Sequence, residues 1–412
     1  MSKTDAPADL NVKAIGLVSG AHLYSHLYIL LLPPLFPVLT GELDVGFTEL
    51  GFAITVFSLV TGLTQTPIGF LVDRVGARLL LIAALVAESV AFIVIAIAPS
   101  YPMLLAMMAL AGLANAVYHP ADYSILNGSV GEKHIGRAFS VHTASGFFGG
   151  FLAPAFVLPL TSVIGWQLAV GICAATGLGM ALVLALSASA LSDADKRADP
   201  ASGEATGRPV GLAVLLSFPV MMGLLFYVGI STTGHGVSDF SVSALGGMYP
   251  VTLTALGSVL LAYLLANPIG VLAGGWIADS IDRHDVFAAA CFAGIALPLF
   301  AIAALGLPLV VVAGALFVVG FLNGIVSPSR DMLIRAMTPP GQMGKVFGFV
   351  STGFNIGGIV APPMFGYLLD QGNPTGIFWG AGLVALLTVP TVLVTGFQGR
   401  RAASRWPVQT AR

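Results

Sequence analysis

The chain has 412 residues, 57% of them hydrophobic and only 9% charged, where a soluble globular domain carries roughly 25% charge. That composition excludes water as the main solvent, and a net charge of −2 leaves no basic face for a phosphate backbone, so nucleic acid is excluded as a partner. The two cysteines, Cys173 and Cys291, lie in apolar runs, where a thiol behaves as a small buried hydrophobe and says nothing about redox compartment.

A bilayer core needs about 20 apolar residues of helix, because an open strand would leave its backbone groups unpaired there. Apolar runs of that length fall at 14–37, 48–72, 79–98, 102–126, 136–160 and 166–190, then at 210–232, 252–278, 286–305, 309–335, 343–369 and 375–397. The first is longer than a signal-peptide core and lacks a small-residue cleavage site, so it is expected to remain as the first span. The fold class predicted is an all-α polytopic membrane protein with twelve transmembrane helices in two six-helix halves, residues 1–190 and 210–397. Between them the mixed-charge stretch 191–209 reads as a flexible linker, and 398–412 as a tail.

Lys and Arg are retained on the cytoplasmic side of a membrane, and here they mark alternate connections. Lys3 and Lys13, Arg74 and Arg78, Lys133 and Arg137, Lys196, Arg197 and Arg208, Arg283, Arg330, Arg335 and Lys345, and the arginines from Arg400 onward all comply. The opposite loops are read as holding Glu42, Asp44, Glu49, Asp239 and Asp370. Both termini are therefore expected in the cytoplasm of a plasma, or bacterial inner, membrane.

An offset of 208 residues aligns Gly112–Pro154 with Gly320–Pro362 without a gap, matching Asn115 to Asn323, Pro120 to Pro328 and Gly149-Gly150 to Gly357-Gly358. Matches of this kind at one register indicate a true repeat. Parallel six-helix repeats are a carrier architecture with the solute site between the halves.

After the second span stands Gly69-Phe-Leu-Val-Asp73-Arg74-Val-Gly76-Ala-Arg78, echoed by Gly275-Trp-Ile-Ala-Asp279-Ser-Ile-Asp282-Arg283. An acidic residue at a helix C-terminus opposes the dipole and wants a positive partner. Through this loop the sequence resembles the major facilitator superfamily along essentially its whole length. The resemblance implies a cytoplasmic latch, and hence gating roles for Asp73, Arg74 and Arg78, with Asp279 and Arg283 as a weaker copy because Ser280 replaces an arginine. His22-Leu-Tyr-Ser-His26 with Pro33-Pro34, and Tyr118-His119-Pro120-Ala-Asp122, are similar to fosmidomycin-resistance-type carriers. The mid-helix arginine of many drug/proton antiporters is missing between Met103 and Val117, and their fifth-span motif survives only as Gly146-Phe-Phe-Gly149-Gly150 with Pro154 beyond.

Ionisable groups inside a membrane cost roughly 2.5–3.5 kcal/mol or more and by default mark function. Ser19, His22 and His26 share one face of the first span; Asn115, His119 and Asp122 share one face of the fourth; Asn323, Ser327 and Arg330 occupy the equivalent places on the tenth. These faces, with Gln65, His142, Tyr227, Asn267 and Asn355, are the expected substrate and proton cavity. The competing reading of the Asn and Ser positions is interhelical hydrogen bonding of about 0.6 kcal/mol each. His22 and His26 are spaced for a metal but have no third ligand nearby in sequence, so no metal is assigned, and imidazole titration makes them proton carriers. Glu88 is read as either a proton site or a structural hydrogen-bond partner for a neighbouring helix, with the structural role ahead. Asp122 and Arg330 sit at matching repeat positions and are expected to form a gating salt bridge; direct binding of an anionic substrate by Arg330 is the competing reading, and pairing with adjacent Asp331 is discounted because neighbours on a helix point apart.

No G-x-x-x-x-G-K-[ST], HExxH or GxSxG is present, so ATP-driven pumping and the corresponding enzyme classes find no support. The function predicted is a secondary active transporter working by alternating access, proton-coupled, with efflux of a drug-like or metabolite solute ahead of uptake of a small organic anion or a non-transporting receptor role. Its partners would be that small molecule, protons and lipid; no cofactor is called for, and a monomer is expected.

Overall fold

The structure is a computed structural model that describes residues 11–131, 133–192, 214–338 and 343–405. Among them, twelve helices are long and apolar enough to cross a membrane. The first span is α1 (Val12–Ile29), a 3-10 turn at Pro33–Leu35 and α2 (Phe36–Leu43). Two successive prolines without N–H donors, Pro33 and Pro34, are what stop α1 short of its expected end at 37. There follow α3 (Phe47–Val75), α4 (Ala77–Ile97), α5 (Tyr101–Ser129), α6 (Ile135–Ile164) and α7 (Trp166–Leu186). The second series is α8 (Phe218–Met248), α9 (Leu253–Ala278), α10 (His284–Ala304), α11 (Leu309–Met337), α12 (Met343–Asp370) and α13 (Thr375–Arg405).

The chain divides into two compact units, Met1–Ser202 and Gly203–Arg412. Of the stretch read as a linker, 191–209, only Leu191 and Ser192 lie among the described residues. Within the first unit α3 and α4 pack on α5, α1 on α6 and α4 on α7. Within the second, α9 and α10 pack on α11, α8 on α12 and α10 on α13, repeating those four contacts helix for helix, while α8 also packs on α13 where α1 barely meets α7. The repeated glycines explain the match. A Cβ on Gly112 would strike the backbone of Phe57 and one on Gly320 the backbone of Tyr263, so each lets its helix touch a neighbour at the same level of its unit. Gly149 against Leu23 and Gly357 against Ser231 form a second such pair. Large apolar side chains such as Val163 (82% exposed) and Trp276 (80% exposed) point outward, where hydrocarbon is the solvent.

Two sequence expectations are corrected. The seventh span is not 210–232 but α8, Phe218–Met248, so Asp239 lies in a helix and not in a loop. Glu42 likewise belongs to α2, and Glu49 to the first turn of α3. The run Gly234-His-Gly-Val-Ser-Asp239 has loop composition, but burial of Val237 and Phe240 keeps it helical.

The loop motif contracts to a single glycine. Gly76 ends α3, donates to the Val72 carbonyl and opens α4, at φ 108° where other residues are strained. The weaker copy has no such turn: α9 ends at Ala278, Asp279 caps it, and α10 starts at His284.

Candidate functional site

In the first unit α1 lies against α5 and α6, and the contact is made possible by Gly146, where a Cβ would come within 2.8 Å of His22 Nε2 and of His26 Cδ2. Into that space the three helices project His22 and His26, His119 and Asp122, and His142. Asp122 is 0% exposed and His142 1% exposed. Asp122 Oδ2 and His142 Nε2 are 2.9 Å apart in a hydrogen bond, and His22 Nδ1 approaches the same oxygen at 3.4 Å. The His22 and His142 rings stack at 3.7 Å with planes 20° apart. His26 and His119 lie further out, their ring centres 4.8 and 5.2 Å from that of His22. Tyr123 closes the group at 5.8 Å from the His142 ring. Asp122 Oδ1, His22 Nδ1 and Ser19 Oγ are buried and make no hydrogen bond among the described residues.

This is a carboxylate served by two imidazoles, and one proton shared between Asp122 and His142 satisfies the bond. His22, Asp122 and His142 also place three possible metal-donor atoms within 4.8 Å of one another, so the fold supplies the third donor that the sequence did not reveal. The ring geometry argues against that use. An imidazole lone pair lies in the ring plane, and two stacked rings do not aim at one ion at about 2.1 Å.

Glu88 of α4 is 0% exposed, with Tyr118 and Asn115 of α5 facing it. It lies at the α4–α5 contact, but neither carboxylate oxygen makes a hydrogen bond among the described residues, so the interhelical hydrogen bond expected of it is not seen.

In the second unit the expected cavity residues separate. Asn323 Nδ2 donates to Asn267 Oδ1 at 2.9 Å, so these two join α11 to α9. Ser327 folds back on the Asn323 carbonyl. Arg330 Nε donates to Asp331 Oδ1 at 2.8 Å, which corrects the expectation that these neighbours would not meet. The guanidinium carbon lies over the rings of Tyr227 and Phe354. Asp122 and Arg330 each have partners inside their own unit. Gln65 on α3 and Asn355 on α12 are half-buried, and neither is hydrogen-bonded to the cluster of its own unit among the described residues.

Of the expected latch residues, Asp73, Arg74, Arg78, Asp279 and Arg283 are all exposed. Arg78 Nη1 donates to the Ala188 carbonyl at 3.0 Å, tying the start of α4 to the chain beyond α7. Arg283 binds buried Asp285 through Nε at 3.0 Å and Nη2 at 3.3 Å, and that carboxylate pushes the guanidinium above its ordinary pKa.

One ionisable pair escaped the sequence reading. His235 Nδ1 lies 2.6 Å from Asp239 Oδ2, and Ser238 Oγ donates to Asp239 Oδ1 at 2.7 Å. The signal was the His-x-x-x-Asp spacing, hidden by ending the seventh span at 232.

Comparison with known proteins agrees with this architecture. The chain is 24% identical to the fosmidomycin resistance protein of Escherichia coli over 92% of each chain. It is 25% identical to the probable nitrate/nitrite transporter NarK2 of Mycobacterium tuberculosis over 88% of this chain and 89% of that one. Among solved structures, a bacterial homologue of the human lysosomal transporter Spinster superposes with a TM-score of 0.75 over 98% of both chains at 14% identity, a likeness of fold. The sequence profile of the Major Facilitator Superfamily matches residues 18–253 and 232–410, and with two six-helix units packed on one pattern, the chain belongs to that superfamily of membrane transporters.

Proposed function

We propose that the protein is a secondary carrier that moves a small solute by alternating access, coupled to protons at the His22–Asp122–His142 cluster, with efflux as its direction. The observation that carries the proton reading is the Asp122 carboxylate, buried at 0% exposure between two imidazoles. A charged carboxylate is costly to enclose in a low-dielectric bundle, whereas a neutralised one is not. Protonation therefore changes the relative free energy of an enclosed and a water-accessible conformation, which is how a proton gradient drives a two-state carrier. His142 holds the carboxylate, His22 offers a second acceptor at 3.4 Å, and His26 and His119 lie where a proton would pass to them.

Efflux is supported by the E. coli relative, named for resistance to fosmidomycin; the relative named for nitrate and nitrite supports the alternative of a small anion as solute. The distribution of Lys and Arg supports cytoplasmic termini and a cytoplasmic connection between the units in a bacterial inner membrane. The loop carrying Asp73, Arg74 and Arg78 is the proposed cytoplasmic latch, and a monomer is the proposed working unit.

The test is solute flux in proteoliposomes under an imposed proton gradient. Wild-type protein should respond to the gradient and Asp122→Asn should not, although both fold. Gradient-driven flux that persists in Asp122→Asn removes the coupling role, and flux abolished by a chelator instead returns the cluster to a metal. Orientation is tested by Pro200→Cys, which should resist a membrane-impermeant thiol reagent in intact cells.

A further inference from the structure

The second unit holds a cluster of different chemistry. The Arg330 guanidinium carbon lies 5.1 Å from the Tyr227 ring centre and 5.5 Å from that of Phe354. Those two rings stand edge to face with centres 4.8 Å apart, one on α8 and one on α12. Tyr227 OH donates to Asp331 Oδ1 at 3.3 Å, the same oxygen that takes Arg330 Nε. The Arg330 side chain is only 19% exposed, that of Asp331 is 49% exposed. Arg330 is thus the enclosed member of the pair and Asp331 the one with room to leave.

We propose that this cluster binds an organic anion with a flat apolar portion, and that Asp331 is an internal stand-in which neutralises Arg330 when no ligand is present. The proposal rests on the carrier reading and adds the class of ligand. A guanidinium offers five N–H donors in a planar fork that matches a carboxylate or phosphonate, and Asp331 engages Nε. The guanidinium carbon lies over the rings of Tyr227 and Phe354, which a carboxylate partner alone would not arrange, and Phe354, 37% exposed, supplies the apolar surface for the rest of the ligand while buried Tyr227 backs it. An enclosed guanidinium needs a counter-charge in every state of the carrier. In the empty carrier that charge is Asp331; in the loaded carrier it is the ligand. Residues adjacent on a helix project about 100° apart, so the internal pair yields to a ligand that approaches along the fork. The consequence is a carrier able to return empty. Without Asp331 it would cross only when loaded.

The experiment uses the full chain, purified in detergent, with benzoate and phenylphosphonate as probes and benzamide and benzylammonium as neutral and cationic controls. Both anions should bind to wild-type protein, and benzamide should be weaker by about tenfold, the loss expected for a charge-assisted hydrogen bond. Arg330→Gln should lose a similar factor for benzoate and little for benzamide, while Arg330→Lys keeps part of it. Asp331→Asn should bind benzoate more tightly and, in proteoliposomes, retain benzoate–benzoate exchange while net flux falls. The proposal is overturned if neither anion binds, if benzamide equals benzoate, or if Arg330→Gln with an unchanged melting profile binds benzoate like wild type. Equal net and exchange flux in Asp331→Asn removes the stand-in role. The binding readout needs no gradient: Arg330-dependent binding with flux indifferent to protons removes the coupling reading and keeps this one. Proton-driven flux of another solute without anion binding does the reverse.

Discussion

His142 of α6 and Asp122 of α5 meet in a 2.9 Å hydrogen bond, and the ring of His22 from α1 lies stacked 3.7 Å from that of His142. The three residues come from three helices, so each variant tests a different part of the same contact. His22 reaches Asp122 at 3.4 Å, whereas His26 lies beside the ring of His22, with centres 4.8 Å apart. His22→Gln is expected to lower proton-driven flux by about tenfold or more and to change its profile when measured between about pH 5 and 8, because the imidazole beside Asp122 is removed. His26→Gln should lower the rate less and keep the pH profile. Initial rates measured across that range decide it; an unchanged profile in the His22→Gln, His26→Gln double variant would make both residues structural.

Gly149 is expected to be a packing position. A Cβ there would overlap the Leu23 carbonyl of α1, which is backbone and has little freedom to retreat. Gly149→Ala should destabilise the protein by about 1–3 kcal/mol, the usual cost of overpacking, and displace α1 with its histidines. Gly16 of α1 faces open space, and Gly16→Ala should be neutral or stabilising by up to about 1 kcal/mol through helix propensity. Thermal unfolding in detergent separates the two.

The Asn267–Asn323 bond predicts a modest energetic coupling between α9 and α11. A double-mutant cycle with Asn267→Ala and Asn323→Ala should return about 0.6 kcal/mol, and no more than about 1.7 kcal/mol. Transport by the double variant should stay within a small factor of wild type. A large loss of flux without loss of stability would return these residues to the solute path.

Charge reversal tests the pairing first suggested by the repeat. Asp122 is bound by His142 and Arg330 by Asp331 within their own units, so Asp122→Arg and Arg330→Asp should each impair flux through separate sites. The double swap should not restore it. Recovery of flux in the double swap would reinstate an Asp122–Arg330 gate.

The sequence by itself determined the number of spans, the repeat and the superfamily, because those depend on run length, charge placement and fixed-register glycines, all local properties of the chain. It also named every histidine and the aspartate of the first cluster, since an ionisable residue in an apolar run is conspicuous wherever it points. Only the tertiary structure decided which of these residues meet. Asp122 lies 20 residues from His142 and far from His22 along the chain, and α1 reaches them because Gly146 and Gly149 lack side chains on the facing side of α6. Helical spacing places Asn323, Ser327 and Arg330 on one face with equal standing, yet packing against α9 turned Asn323 into a bond with Asn267 and left Arg330 to the rings of α8 and α12. The end of α8 was hidden for a similar reason. Gly, Ser and His have weak helical preference, and in α8 it is burial of Val237, Phe240 and Leu245 against neighbouring helices that carries the helix through His235 and Asp239 to Met248.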